Sequence, residues 1–133
     1  MVVRLCALLC FLVLCLSLVA HIDEPELISG NIPRYPPLAR QAHIEGIVKV
    51  TFTLPANAGE PAYVEAASGH PELKAAAVEN MKTWHFRNPY AANRKYETTF
   101  RYRLVTGPQK VIFESFHDVE IESPEPPPID SHY

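Results

Sequence analysis

Apolar and polar side chains alternate along Gly46–Leu54, with Val48, Val50, Phe52 and Leu54 in one set and Lys49, Thr51 and Thr53 in the other. A side-chain period of two is that of a half-buried strand. The run from Pro55 to Pro61 cannot continue a ladder, because its prolines lack an N–H and Gly59 readily takes positive φ. It reads as a hairpin loop leading into a second strand, Ala62–Ala67. Ser68-Gly69-His70-Pro71-Glu72 then reads as a helix start, since proline suits the first helical position and an acid suits the first turn. Leu73, Ala76, Ala77, Met81 and Trp84 recur at helical spacing, so one face can cover the sheet.

Two further stretches complete this core. Tyr96, Thr98, Phe100, Tyr102 and Leu104 alternate with charged or polar residues and predict a third strand, ended by Thr106-Gly107-Pro108. Upstream, Tyr35–Ala42 predicts a short helix started by Pro36 and Pro37, with Leu38, Ala39 and Ala42 on one face. The expected fold is α+β: a small antiparallel sheet of three strands, or four, with helices packed on one face and the order short helix, hairpin, helix, strand. Past the third strand, Lys110–Phe116 and Asp118–Glu122 carry weaker strand-like runs, Val111-Ile112-Phe113 and Val119-Glu120-Ile121. Residues 106–122 therefore form an extra edge strand or a disordered extension. The proline-rich residues 123–133 are expected to stay extended and disordered.

The N-terminus has a different pattern. Arg4 precedes Leu5–Val19, a hydrophobic run interrupted only by Ser17, and Ala20 stands before the acids Asp23 and Glu24. Residues 1–20 therefore read as an export signal, either cleaved after Ala20 to release a soluble protein or retained as a membrane anchor. Lipidation at Cys15 ranks behind both, because Leu14 stands where lipoprotein signals use a small residue. Residues 21–31 form a short polar linker.

All three cysteines, Cys6, Cys10 and Cys15, lie in the hydrophobic segment, so the exported part has neither disulfide nor thiolate chemistry. Losing residues 1–20 removes one charged side chain, Arg4, and leaves 11 basic against 15 acidic residues, a net charge of −4. That balance does not suggest a nucleic-acid partner.

Catalytic constellations are absent from the pattern. The six histidines include no His-x-x-x-His pair, and His70 and His85 stand at opposite ends of the helix, so no metal site is expected. Ser68 lacks the Gly-x-Ser-x-Gly elbow of a hydrolase and reads as a turn or capping residue. Glu45, Glu60, Glu65, Glu72 and Glu79 show no paired arrangement for acid/base work. No enzyme and no cofactor are expected. Trp84, Phe86 and Tyr35 read as core, and Arg34, Arg40, Arg101 and Arg103 as a solvated face.

One ordered set of short motifs carries a family resemblance. Tyr35-Pro36-Pro37-Leu38-Ala39-Arg40-Gln41-Ala42, Ile44-Glu45-Gly46, the alternating Val48–Phe52, Gly59, Val64, Ser68-Gly69-His70-Pro71 and Trp84-His85-Phe86 together resemble the TonB C-terminal domain. The resemblance covers roughly residues 32–104, within a domain bounded at 32–105. It implies a non-enzymatic domain of the Gram-negative periplasm that takes part in energy-dependent transmembrane transport. Its partner would be the periplasmic end of an outer-membrane TonB-dependent receptor, added to the sheet as an extra strand. Inner-membrane proton-motive-force motor proteins are further partners that the resemblance allows; the exposed edge of the third strand would alternatively support a homodimer with a second copy of the chain, or be covered by Lys110–Phe116.

Carried onto this sequence, the contact would comprise Asn31, Ile32, Pro33, Arg34, Tyr35 and the nearby Gln41, together with Thr99, Phe100, Arg101, Tyr102 and Arg103 of the third strand. The sequence departs from the family's energy transducers in one respect, the long proline-rich spacer. The 14 residues from His21 to Arg34 reach only about 50 Å when fully extended. The alternative expectation is thus a stand-alone periplasmic adaptor or oligomerisation module with no energy-transducing role.

Overall fold

The computed structural model describes residues 24–128; the expected export signal and the last five residues of the proline-rich tail lie outside the described residues. In chain order the elements are β1 (Glu26–Ser29), α1 (Pro37–Gln41), β2 (Gly46–Leu54), β3 (Ala62–Ser68), α2 (Pro71–Met81), β4 (His85–Arg87), β5 (Arg94–Val105), β6 (Lys110–Ser115) and β7 (Asp118–Pro124). Five strands form one sheet in the order β3-β2-β5-β7-β6, and β1 pairs with β4 in a separate antiparallel ribbon. Among the described residues, no helix is long and apolar enough to cross a membrane.

The alternation in β2 sets the layering. Val48, Val50, Phe52 and Leu54 are fully buried, and their partners on β5 are Phe100, Thr98, Tyr96 and Arg94. Onto this face α2 lays Leu73, Ala77 and Met81, all fully buried. His70 caps the helix by accepting the Glu72 backbone N–H at its Nδ1, 3.2 Å away. The cap is thus His70, whereas Ser68 is the last residue of β3.

Aromatic rings fill the space beyond the helix: Phe52 stacks on Phe86 at 5.6 Å, Phe86 meets Phe116 edge-on at 5.3 Å, and Trp84 lies 5.8 Å from Phe100. The opposite face of the sheet is open to solvent. Cross-strand charge pairs decorate it, Arg101 with Asp118 at 3.2 Å and Arg103 with Glu120 at 2.8 Å.

The expectation of an antiparallel sheet with three or four strands is corrected in number and direction. From the end of β5, Thr106–Gln109 carries the chain past one vacant position to β6, and β7 then returns into that position, parallel to β5 and antiparallel to β6. Two strand spacings are about 10 Å, within the reach of four extended residues. Val119 and Ile121 of β7 are fully buried, so the insertion extends the core. The turn before β7 is pinned to β5: Thr98 Oγ1 donates to the Phe116 carbonyl at 2.6 Å, and the Thr99 N–H donates to His117 O at 2.8 Å. β7 continues through Pro124, two residues into the stretch expected to be a disordered tail, and β1 lies within the expected linker.

Two glycines are required by close approach. A Cβ on Gly59 would stand 2.2 Å from the Phe86 carbonyl oxygen, at the point where Phe86 N–H donates to Gly59 O at 2.8 Å. This contact fastens the β2–β3 loop to β4. A Cβ on Gly30 would meet Trp84 Cδ1 at 2.6 Å, so the approach segment crosses the indole face at a glycine.

Candidate functional site

The segment leading into α1 is held on the end of α2 by one asparagine. Asn80 Nδ2 donates to the Asn31 carbonyl at 2.8 Å, and its Oδ1 accepts from Trp84 Nε1 at 2.9 Å. The Asn31 N–H in turn donates to Thr83 Oγ1 at 2.9 Å. One side chain therefore satisfies the buried indole and anchors the segment. Asn31, Ile32 and Arg34 remain exposed and line a surface groove with Ala76, Glu79, Asn80 and Thr83.

Pro33 and Tyr35 turn inward. Tyr35 donates its hydroxyl to the Ile44 carbonyl and meets Tyr102 edge-on at 5.5 Å. Burial pushes the Tyr35 phenol up to about 12, with a smaller contribution from the Glu45 carboxylate. Tyr102 is raised too, first by burial and then by Tyr35, and its hydroxyl has no hydrogen-bond partner among the described residues. The Tyr35–Tyr102 contact is where the approach segment and β5 meet.

Of the β5 residues expected in the contact, Phe100 and Tyr102 are buried, Arg101 and Arg103 are exposed, and Thr99 is half-buried. Thr99, Phe100, Arg101 and Tyr102 have neighbours on both sides, β2 on one and β7 on the other, whereas Arg103 lies past the end of β2 and pairs with β7 alone. Gln41 lies apart from Asn31–Arg34, in a surface groove with His43, Pro126 and Pro127, near where Arg40 Nε donates to Pro124 O at 3.0 Å.

The sequence reading does not single out Asn80, and it takes Glu45 only as a motif residue and a carboxylate with no acid/base partner. Glu45 Oε1 accepts the Leu104 N–H at 2.6 Å, continuing the β2–β5 hydrogen bonding by one side-chain bond past the strand end. The only sequence signal for Asn80 is a polar residue one position before the last apolar residue of the helix stripe. Nothing in its spacing says what it reaches.

No group of three His, Cys, Asp or Glu side chains able to hold a metal occurs among the described residues. His85 and His117 stand 3.8 and 3.7 Å from Glu60 and Glu24 at exposed positions. What the surface offers is hydrogen-bonding edges and shallow apolar grooves, which suit a protein segment.

Residues 31–104 match the family described as the Gram-negative bacterial TonB protein C-terminal. The chain belongs to the TonB C-terminal family. Protein TonB of Vibrio cholerae serotype O1 is 36% identical over 67 residues, an alignment covering 49% of this chain and 28% of that protein. The chain thus matches little more than a quarter of that relative. The solution structure of the Pseudomonas aeruginosa TonB C-terminal domain shares the fold, with a TM-score of 0.53 at 21% identity over 67% of this chain and 95% of that one. The family stretch ends at residue 104, so β6 and β7 lie beyond it.

Proposed function

We propose that this protein is a non-enzymatic envelope domain of the periplasm that binds an extended segment of an outer-membrane receptor, within energy-dependent transmembrane transport. Membership of the TonB C-terminal family carries this reading. The contact comprises Asn31–Tyr35 and Gln41 beside the strip Thr99–Arg103 of β5. Because β7 fills the second edge of β5, an incoming strand takes the place of β7, and the β6–β7 hairpin swings away. Exchange keeps the ladder of β5 complete, since each hydrogen bond lost to β7 is remade to the partner. Calorimetry with a synthetic peptide from the periplasmic end of a receptor of the native bacterium tests this reading. Saturable binding that is lost on Asn31→Pro supports it, and no binding at millimolar peptide overturns it.

One observation favours a second reading. The occupied β5 edge, sealed by the buried Val119 and Ile121, is what a stand-alone adaptor or oligomerisation module without an energy-transducing role would carry. Fractionation with mass determination separates the two. A full-length chain in the inner membrane, where motor proteins can act on it, supports the transport reading, and a soluble periplasmic chain beginning near His21 supports the adaptor.

A further inference from the structure

The side chains of β7 match the edge of β5 position by position. Val119 and Ile121, both fully buried, lie beside Phe100 and Tyr102 on the core face. Asp118 and Glu120 alternate with them on the solvent face, and each is held by an arginine of β5. Arg101 takes Asp118 with two hydrogen bonds, Nε to Oδ1 at 3.2 Å and Nη2 to Oδ2 at 3.4 Å, and Arg103 Nη1 donates to Glu120 Oε1 at 2.8 Å. Both arginines reach diagonally, since the residues directly opposite them are Glu120 and Glu122.

Elsewhere the two arginines find no carboxylate partner. On the β2 side Arg101 stands opposite Ile47, and Arg103 lies past the strand end. Glu97, the acid of β5 itself, stands 3.9 Å from Lys49 instead. Among the described residues, the ion pairs of Arg101 and Arg103 are all made with β7.

Without β7, the strip Thr99–Arg103 therefore shows two cations on its solvent face and two aromatic rings on its core face. A strand that replaces β7 has to answer both rows. Cationic side chains set against Arg101 and Arg103 would place like charges on neighbouring strands, which is destabilising. Sliding an alternating segment by one residue would turn its acids onto Phe100 and Tyr102 and its apolar side chains into water. Sign and register are thus both fixed by residues of β5.

We propose that Arg101 and Arg103 determine specificity by selecting a partner segment of the form acid-apolar-acid-apolar, lying parallel to β5 as β7 does, for which Asp118–Ile121 is the chain's own stand-in. This selection rests on the strand-exchange reading above, to which it adds the chemistry of the incoming segment.

The test titrates the full chain with three synthetic peptides that share neutral polar flanks and differ in a core of Asp-Val-Glu-Ile, Lys-Val-Lys-Ile or Asp-Glu-Val-Ile. The alternating acidic peptide is expected to bind about tenfold more tightly than the lysine peptide, and more tightly than the third, which has the same composition without the alternation. The preference over lysine should shrink in 1 M salt, where charges are screened within about 3 Å. Arg101→Glu with Arg103→Glu should invert it, and Arg101→Gln with Arg103→Gln should abolish it. Each ratio compares two peptides against one free state, so the energy of displacing β7 cancels, and loosening of β7 by a substitution cannot produce the inversion. Equal affinities for the acidic and lysine peptides, or a preference that survives both double substitutions, would overturn the selection and leave strand exchange standing. So would no binding of the acidic peptide while a receptor peptide binds. No binding of either overturns both.

Discussion

Ile121→Ala separates strand exchange at β5 from binding elsewhere. Ile121 is fully buried in β7, between Tyr102 of β5 and Val111 of β6. Its truncation removes three carbons from a packed site, and buried isoleucine-to-alanine changes cost about 2–5 kcal/mol. With only the β6 edge strand beyond it, the site can relax, so the lower part of that range, about 2–3 kcal/mol, applies here. If binding requires β7 to leave, the same substitution raises the energy of the free state and leaves the bound state unchanged. The apparent affinity for a receptor peptide should then rise by roughly 30- to 100-fold, at one factor of ten per 1.4 kcal/mol. Met81→Ala is the matched control: it opens a cavity under α2, which bound and free states share, and should lower stability without changing affinity. The assay pairs thermal unfolding with titration calorimetry on the same samples. Loss of stability in Ile121→Ala with unchanged affinity would refute the exchange, because β7 would then remain in place during binding.

Three further outcomes follow from the packing. Gly59→Ala drives a Cβ into the Phe86 carbonyl and breaks the hydrogen bond between β4 and the hairpin loop; a loss of about 2–4 kcal/mol in urea unfolding is expected, and an unchanged midpoint would refute the close contact. Asn80→Leu leaves the Trp84 N–H and the Asn31 carbonyl without their partner; it should cost about 2–3 kcal/mol and speed hydrogen exchange at Asn31, while unaltered exchange there would show that the segment is held by other contacts. The Tyr35 phenol titrates near 12 in the folded protein against 10 unfolded, so the folded state holds its proton longer. The stability this proton holds is therefore fully present below pH 10 and is lost as the pH rises towards 12, with Tyr102 acting in the same direction. Tyr35→Phe should flatten that alkaline loss, and an unchanged slope would count against the assignment.

By its alternation with Thr98 and Phe100, Thr99 reads as an outward position on the third strand, where a proline would test a strand-edge contact. In the folded chain the Thr99 N–H donates to His117 O, so proline there removes a ladder bond and loosens the turn that seats β7. A binding defect in Thr99→Pro would report that loosening as well as any partner contact.

Local pattern by itself determined the central elements. Strict alternation in Gly46–Leu54 and Tyr96–Leu104, the helical stripe from Leu73 to Met81 and the proline-marked helix starts were legible because a half-buried element repeats its own geometry in its side chains. The order of the motifs was enough to point to the TonB C-terminal family. Tertiary structure alone decided the rest. Val119, Ile121 and Ser123 alternate with acids just as a strand does, but no local signal says that the last strand slips between β5 and β6 and runs parallel to β5. Neighbours in a sheet are chosen by which buried faces match, and that choice is made between residues distant in sequence. For the same reason the β5 contact strip was legible as a strand yet not as one with both edges occupied, and Asn80 was legible as helix but not as the clamp on Asn31. Periodicity tells which face of an element is buried; the packing of the whole chain decides what lies against it.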